Sequence, residues 1–229
     1  VQYCRRYFDQ HPERRIVGVS PNDNEVFCNC PACVKANLGR PPGPGEQPPW
    51  QVTGSVFGLS NRVAERLAET HPEKLVNTIA YARTKEPLPG LNIRDNVLVQ
   101  YCSQPHFNWL GERAREKMDR GIDAWTSAAR HVGIFDYIIH QSWPGLLRPL
   151  TELLSHELPY FHRQGVRYYY SQHGEDCGVN LPNYYLMTAL LWDADRDPEK
   201  VLSDMYRRCF RAAARPMQRF FDVLEEAIT

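Results

Sequence analysis

The sequence has no excess of charge of either sign, because 27 basic residues balance 27 acidic residues over 229 positions. A neutral balance argues against a protein that attracts nucleic acid or an anionic membrane. No apolar run approaches the roughly 20 residues that a helix needs to cross a bilayer. The chain also lacks a signal peptide, but it opens at Val1 without an initiator methionine. We therefore expect a fragment whose missing N-terminal part carried any export signal.

Several enzyme signatures are missing as well. No glycine-rich phosphate loop follows a predicted strand, and no G-x-S-x-G nucleophile elbow occurs. His156-Glu157 opens like a zinc-protease signature, but the next histidine is His162, which is too far along the chain. Pro159 is expected to interrupt the helical turn at this place. These absences argue against nucleotide-binding enzymes, serine esterases and zinc proteases.

What the sequence does contain is an alternation of short β-rich runs with longer helical stretches. Apolar residues at steps of three or four predict the helices. The runs are mostly apolar and β-branched or aromatic, as in strands that are covered on both faces. They are Ile16–Ser20, Val76–Ala82, Asn96–Cys102, Val132–Ile139 and Val166–Ser171. Repeated strand–helix–strand units predict a parallel sheet with right-handed crossovers.

Five parallel strands fit either a doubly wound sheet or part of a barrel. Because no nucleotide loop follows any strand, we favour the barrel. The fold class predicted for residues 1–180 is thus α/β, the C-terminal part of a (β/α)8, TIM-like barrel. Five strands cannot close an eight-stranded barrel, so the remaining strands are expected in the missing N-terminal part.

Residues 181–229 are predicted to form a C-terminal helical extension, since the pattern is helical from Asn183 onward. Asp197-Pro198 is typical of a helix N-cap followed by proline at the first helical position. Pro216 is expected to kink or break the last helix near Arg215.

The sharpest local motif is Cys28-Asn29-Cys30-Pro31-Ala32-Cys33, with three thiols in six residues. Thiolates at this spacing can converge on one structural zinc ion, with Cys102 as a possible fourth ligand. A pair of disulfides that staple the loop is the competing interpretation, and three unpaired cysteines without a shared role is another. No metal is expected for catalysis, because an open zinc site usually includes histidine or carboxylate ligands.

Two acidic groups follow predicted strands. Asn22 and Asp23 come directly after the first strand, where a carboxylate can act as an acid or base or orient a sugar hydroxyl. An Asx-turn is the structural alternative for this pair. Glu175-Asp176, preceded by His173, follows the fifth strand, and its alternative is a solvated surface turn. Glycoside cleavage needs one carboxyl group to protonate the leaving oxygen, and Glu175 is the leading candidate, with Asp23 as its partner.

Further polar and aromatic residues are expected to line the same strand ends. Asp136 is a charge in an otherwise apolar strand, so it either faces a polar cavity or is buried with partners. Tyr137 and His140 are candidates for the same site, with Trp143 as a stacking platform. Tyr81 is either a site residue or a core residue.

These motifs occur in a recognisable order along nearly the whole chain. The order is Ser20-Pro21-Asn22-Asp23, Phe27-Cys28-x-Cys30-x-x-Cys33, Ala80-Tyr81, Tyr101-Cys102 with His106, Phe135-Asp136-Tyr137 and Leu191-Trp192-Asp193. It resembles the bacterial family long labelled domain of unknown function 4838. The cysteine cluster and the Trp-Asp pair before a long helix are the most specific parts of the resemblance.

The characterised members of that family are classed as glycoside hydrolase family 163. The resemblance implies a barrel enzyme of the endo-β-N-acetylglucosaminidase type, which cuts within the chitobiose core of N-glycans. It also implies a retaining mechanism in which the substrate's 2-acetamido group can take part. The expected partner is then an oligosaccharide or a glycoprotein glycan, and the expected location is secreted or periplasmic. The alternatives are a glycan-binding barrel without catalysis and a zinc-dependent module that binds protein or nucleic acid.

Overall fold

The computed structural model describes residues 1–24, 26–103, 112–138, 147–172, 178 and 180–228, and the side chains of 112–114 and 228 are not described. The helices in these ranges are α1 (Gln2–Gln10), α2 (Pro31–Leu38), α3 (Thr53–Ala68), α4 (Glu112–Ala128), α5 (Thr151–Arg163), α6 (Leu181–Trp192), α7 (Pro198–Phe210) and α8 (Ala214–Ile228). The strands are β1 (Ile16–Gly18), β2 (Leu75–Ala80), β3 (Val97–Cys102), β4 (His131–Tyr137) and β5 (Tyr168–Gln172). Short 3-10 turns cover Ala82–Thr84 and Arg211–Ala213.

The strands form one five-stranded sheet in the sequential order β1-β2-β3-β4-β5. The pairs β1–β2, β2–β3 and β3–β4 are parallel. All five predicted strands are therefore confirmed within a residue or two of their expected bounds, and the mixed α/β class is confirmed with them. The order never reverses along the sheet, whereas a doubly wound sheet reverses at its switch point.

Burial differs between the strands. Every residue of β3 is buried, as expected for a strand covered on both faces, while β2 alternates between buried and half-buried residues. The side-chain amide of Asn77 on β2 donates a hydrogen bond to Gln100 Oε1 on β3 at 2.8 Å, so a pair of polar side chains links these neighbouring strands. The connection from β2 to β3 holds a single 3-10 turn rather than the expected helix.

Contacts divide the chain into two compact units. The first comprises Val1–Cys102, Arg120–Phe135 and Val166–Tyr169, and the second comprises Ser103–Asp119, Asp136–Gly165 and Tyr170–Thr229. In the first unit Phe57 packs on Trp125 with 4.8 Å between ring centroids, and both rings are buried. The indole N–H of Trp125 donates to the Lys85 carbonyl at 2.7 Å, which satisfies its one polar group.

Helices α2 and α3 approach each other closely in the first unit. A Cβ atom added to Gly54 would lie 2.0 Å from the carbonyl oxygen of Ala36, so only glycine fits this crossing. The buried side chain of Asn37 accepts a hydrogen bond from the Ser55 amide at 2.7 Å. Asn37 thereby caps the first turn of α3, whose early amides have no partner inside the helix. These contacts hold α2 firmly against α3.

Replacing Gly54 with alanine should therefore destabilise the protein by about 3 kcal/mol, because two backbones must separate to admit one methyl group. Gly58→Ala in the same helix is the matched control. The nearest atom to a Cβ at Gly58 is the end of the flexible Arg62 side chain at 4.0 Å. This control should gain up to about 1 kcal/mol from helix propensity. Urea unfolding midpoints measure both effects, and equal midpoints would contradict the close crossing.

The second unit contains the C-terminal helices. Asp197 caps α7 as predicted, since its Oδ1 accepts from the amides of Glu199 and Lys200 at 3.0 and 3.2 Å. The predicted break near Arg215 is displaced upstream. Helix α7 ends at Phe210, Arg211 adopts a positive φ of 50°, and α8 begins at Ala214. Pro216 thus lies in the first turn of α8, where a missing N–H costs no helical hydrogen bond.

The expectation for Pro159 was wrong. Helix α5 runs from Thr151 to Arg163 through this proline, although proline cannot donate the usual bond to Ser155. Leu158 and Phe161 on either side of it are buried, and we attribute the continuity of the helix to this packing.

A carboxylate from α8 caps the start of α5. Glu225 accepts hydrogen bonds from the Thr151 hydroxyl and from the Glu152 amide, the latter at 2.9 Å. Burial raises the pKa of Glu225 above its ordinary value of 4.5, although these hydrogen bonds and the nearby Thr151 amide oppose the rise. Since the folded protein holds this proton more tightly than the unfolded chain, Glu225 makes the free energy of unfolding fall as the pH rises from about 4.5 through the raised pKa.

Glu225→Gln should remove this decrease, because glutamine keeps an acceptor oxygen but does not ionise. The measurement is the free energy of unfolding between pH 4.5 and pH 8, which should vary less in the variant than in the wild type. Asp195→Asn, which changes an exposed carboxylate in the same C-terminal helical region, is the control and should leave the pH profile unchanged. A wild-type profile for Glu225→Gln would contradict the assignment.

Candidate functional site

The loop after β1 carries the first predicted site residues. Beyond the strand, the Val19 amide donates to the Asn77 carbonyl at 2.7 Å, and Ser20 Oγ accepts from the Ile79 amide at 3.2 Å. The chain therefore follows β2 until it turns away at Asn22 and Asp23, which are both exposed. The Asx-turn proposed as an alternative occurs one residue later, where Asn24 Oδ1 accepts from the Val26 amide at 3.0 Å. Asp23 is thus left facing solvent beyond the carboxyl end of β1.

Tyr81 follows β2 at the corresponding place. Its backbone is held by Thr84, whose hydroxyl accepts from the Tyr81 amide at 3.0 Å and donates to the Tyr81 carbonyl at 2.9 Å. The turn forces Ala82 to a positive φ of 47°, a conformation that costs a residue with a side chain about 1–3 kcal/mol. Tyr81 is 36% exposed, so it is not a core residue.

Arg83 joins the loops near these strand ends, and sequence reasoning missed it. Its guanidinium carbon lies 4.9 Å from the ring centroid of Phe27 and 4.8 Å from that of Trp50. Its Nε also donates to the Trp50 carbonyl at 2.8 Å. Both rings are within the distance of a cation–π contact, so this cation connects the segment before the cysteines to the segment before α3. An arginine after a strand carries no sequence signal for such a role.

The three clustered cysteines come together in the structure. The sulfur atoms of Cys28, Cys30 and Cys33 all lie within 4.8 Å of one another, and none forms a disulfide. Cys28 and Cys30 are exposed, and Cys33 is half-buried on the first turn of α2. Cys102 is buried on β3 and is not a member of this group, which includes only described residues.

Cys30 occupies the N-cap position of α2, and Pro31 is the first helical residue. Its side chain makes no capping hydrogen bond to α2, but the Cys33 amide and the thiols of Cys28 and Cys33 lie close to its sulfur. These neighbours, with the Cys33 amide as the largest cause, lower the pKa of Cys30 from 9.0 to about 7. The neighbouring thiols of Cys30 and Cys28 raise the pKa of Cys33 from 9.0 to about 11.

Asp136 on β4 is buried, with 1% of its surface exposed. Its Oδ1 accepts from the Tyr137 amide at 2.7 Å, and Tyr137 itself is half-buried. Two further charged residues, Arg148 and Glu157, are buried in the same unit. Burial lowers the pKa of Arg148 from 12.5 to about 10, and the charge of Asp136 opposes this shift. The buried alternative for Asp136 is the one that the structure supports.

Arg148 is held in place by α6. Its amide donates to Asn180 Oδ1 at 3.4 Å, and its carbonyl accepts from the Asn183 side chain at 2.7 Å. Sequence reasoning missed Arg148 and Glu157 because an arginine in a loop and a glutamate in an amphipathic helix are usually solvated. The only available signal for Glu157 was its position in the apolar stripe of α5, between Leu154 and Leu158.

The remaining predicted site residues lie outside the described residues. They are His140, Trp143, His173, Glu175 and Asp176, together with His106 of the family pattern. Their place relative to Asp23 and Tyr81 thus stays a prediction.

The described residues define an α/β protein with a sequentially ordered sheet and exposed polar groups beyond the carboxyl ends of β1 and β2. The family model described as a domain of unknown function (DUF4838) matches residues 1–222, so the chain belongs to that family. The resemblance of the motifs to the family of domain of unknown function 4838 is thereby confirmed. No curated protein and no solved structure matches the chain. Among the described residues, no helix is both long and apolar enough to cross a membrane.

Proposed function

We propose that this protein is a glycoside hydrolase of the endo-β-N-acetylglucosaminidase type, which cleaves within the chitobiose core of N-glycans. The observation that carries the proposal is the sequential sheet with exposed Asp23 and Tyr81 beyond the carboxyl ends of neighbouring parallel strands. In barrels of this kind, that end of the strands carries the active site. Membership of the DUF4838 family supports the same class through the resemblance of its motifs to glycoside hydrolase family 163.

The proposal includes a complete eight-stranded barrel, to which β1–β5 contribute five consecutive strands. The unreversed strand order supports it, because each strand of such a barrel pairs with the strands before and after it in the chain. Since N-glycans are displayed outside cells, we also propose that the protein is secreted or periplasmic.

In the proposed reaction, Glu175 donates a proton to the glycosidic oxygen as its bond to the anomeric carbon breaks. The carbonyl oxygen of the substrate's 2-acetamido group forms a new bond to that carbon from the opposite face. Asp23 orients this group by accepting a hydrogen bond from its N–H and stabilises its developing positive charge. Glu175 then takes a proton from the water that opens the cyclic intermediate, and the two inversions retain the configuration.

The other candidate residues shape the sugar subsite in this proposal. They are Asn22, Tyr81, Tyr137, His140, Trp143, His173 and Asp176. Asp136 is buried beside the charge of Arg148, so its part is to position the end of β4 rather than to touch the sugar.

A glycan-binding protein without catalysis is the second candidate. Trp50 is 64% exposed although it stacks on Arg83, and Tyr81 is exposed as well. Exposed aromatic rings provide flat apolar faces on which sugar rings stack, and this requires no acid.

The two functions are distinguished by incubating the purified protein with an N-glycoprotein. We expect release of the glycan and a single N-acetylglucosamine left on the protein, as detected by mass spectrometry. Glu175→Gln and Asp23→Asn should each lower kcat/KM by about 100-fold, the usual contribution of a general acid or of a charge-stabilising group.

The matched controls are Glu226→Gln and Asp195→Asn, which change exposed carboxylates in the C-terminal helical region and should leave the rate unchanged. A rate within a few-fold of wild type for Glu175→Gln would make its assignment wrong. Glycan binding without any release by the wild type would favour the second candidate.

A further inference from the structure

We propose that Cys28, Cys30 and Cys33 bind one Zn²⁺ ion, which fixes the loop between β1 and α2. This site is independent of the proposed hydrolase chemistry, because it contains no histidine or carboxylate from the candidate residues. The proposal rests on the position of the three sulfur atoms, on their accessibility and on the rigid support of α2.

The three sulfur atoms already have nearly the spacing that zinc requires. A tetrahedral ion with Zn–S bonds of about 2.3 Å holds its sulfur ligands about 3.8 Å apart. The sulfurs of the cluster lie within 4.8 Å of one another, so shifts of about 1 Å or less bring all three onto one ion. Cys28 and Cys30 are exposed, so the ion can enter from solvent without unfolding of the chain.

Cys30 is the N-cap residue of α2, and Cys33 lies in the first turn of that helix. The amides of a first turn have no partner inside the helix and lie at the positive end of its dipole, so this place favours negatively charged ligands of a cation.

The three sulfur ligands favour zinc over the other common metal ions. A set of thiolates alone is too soft for Mg²⁺ or Ca²⁺, which take oxygen ligands. An iron–sulfur cluster takes four protein ligands, whereas the described residues supply three at this place. Zinc with three protein ligands completes its coordination with water or with a further group.

A disulfide fits the cluster less well. Any one disulfide would use two of the three thiols and would leave the third beside it without a role. All three cysteines are free thiols whose sulfur atoms lie within 4.8 Å of one another, rather than as a pair and an outlier. A single cation uses all of them at once.

The cysteine cluster is attached on both sides to segments that tertiary contacts hold in place. On one side, α2 is held to α3 through Gly54 and Asn37. On the other side, Phe27 next to Cys28 stacks on Arg83. The ion therefore closes the segment that begins at Asp23 onto a rigid helix. Zinc acts here as a structural clamp on the loop that carries the candidate carboxylate.

The test is the metal content of the protein, purified in a reducing buffer without added metal or chelator and measured by plasma mass spectrometry. We expect one zinc per chain. Cys28→Ser and Cys30→Ser should abolish it, because serine is a poor zinc ligand, and both positions are exposed, so the changes leave the core intact. Cys209→Ser, an exposed cysteine on α7, is the matched control and should retain one zinc.

Replacing zinc with Co²⁺ gives a second readout. Thiolate-to-cobalt charge-transfer absorption should appear in the wild type and in Cys209→Ser, and it should be absent in Cys28→Ser. Circular dichroism confirms that each variant is folded. None of these measurements involves a glycan, so they stand whether or not the proposed hydrolase activity is found.

Three results would overturn the proposal. The first is a folded wild-type protein that holds no zinc and takes up none from micromolar Zn²⁺. The second is a count of reactive thiols in denaturant that rises by two on reduction in the wild type but not in Cys30→Ser, which would establish a disulfide at the cluster. The third is a zinc content unchanged by Cys28→Ser and Cys30→Ser.

Discussion

Parallel hydrogen bonding between consecutive strands is the constraint on which the other features depend. The first four strands are parallel to one another, so the chain must return from the carboxyl end of each strand to the amino end of the next. All segments that leave these strands at their carboxyl ends therefore begin at the same end of the sheet. The exposed groups at Asp23 and Tyr81, the Arg83 stack and the cysteine loop all follow β1 or β2 for this reason.

The two ends of the cysteine loop are held by different physical means. Backbone and hydroxyl hydrogen bonds tie Val19 and Ser20 to β2, whereas α2 is held by a close helix crossing at Gly54. Between them, the loop has little apolar burial of its own, since residues 21–24 and 28–32 are exposed. A short exposed loop of this kind cannot be ordered by a core, and cross-links or cations are the usual substitutes.

The elements with strong periodicity could be predicted from the sequence, and those set by tertiary contacts could not. The five strands and the Asp197 cap depend on local patterns, and the structure confirms them. Proline is tolerated in the first turn of a helix, so the presence of Pro216 indicated that the helix is broken but not where the break lies. Pro159 was misjudged because packing around α5 outweighs one lost hydrogen bond. Arg148 and Arg83 were missed because their partners are distant in sequence, and no local pattern marks them.

The Arg83 stack couples two loops, one before α2 and one before α3. Phe27, Trp50 and Arg83 come from three segments that are far apart in the chain, and one guanidinium contacts both rings. Arg83 is also tied to the segment before α3, since its Nε donates to the Trp50 carbonyl and its own carbonyl accepts from the Val52 amide. It therefore stays with that segment when Phe27 moves away, and the segment before α3 supplies the partner on which Phe27 depends. We expect a proteolytic cut before α3 to loosen the loop before α2 more than the reverse cut would, even though some twenty residues of chain separate the two rings.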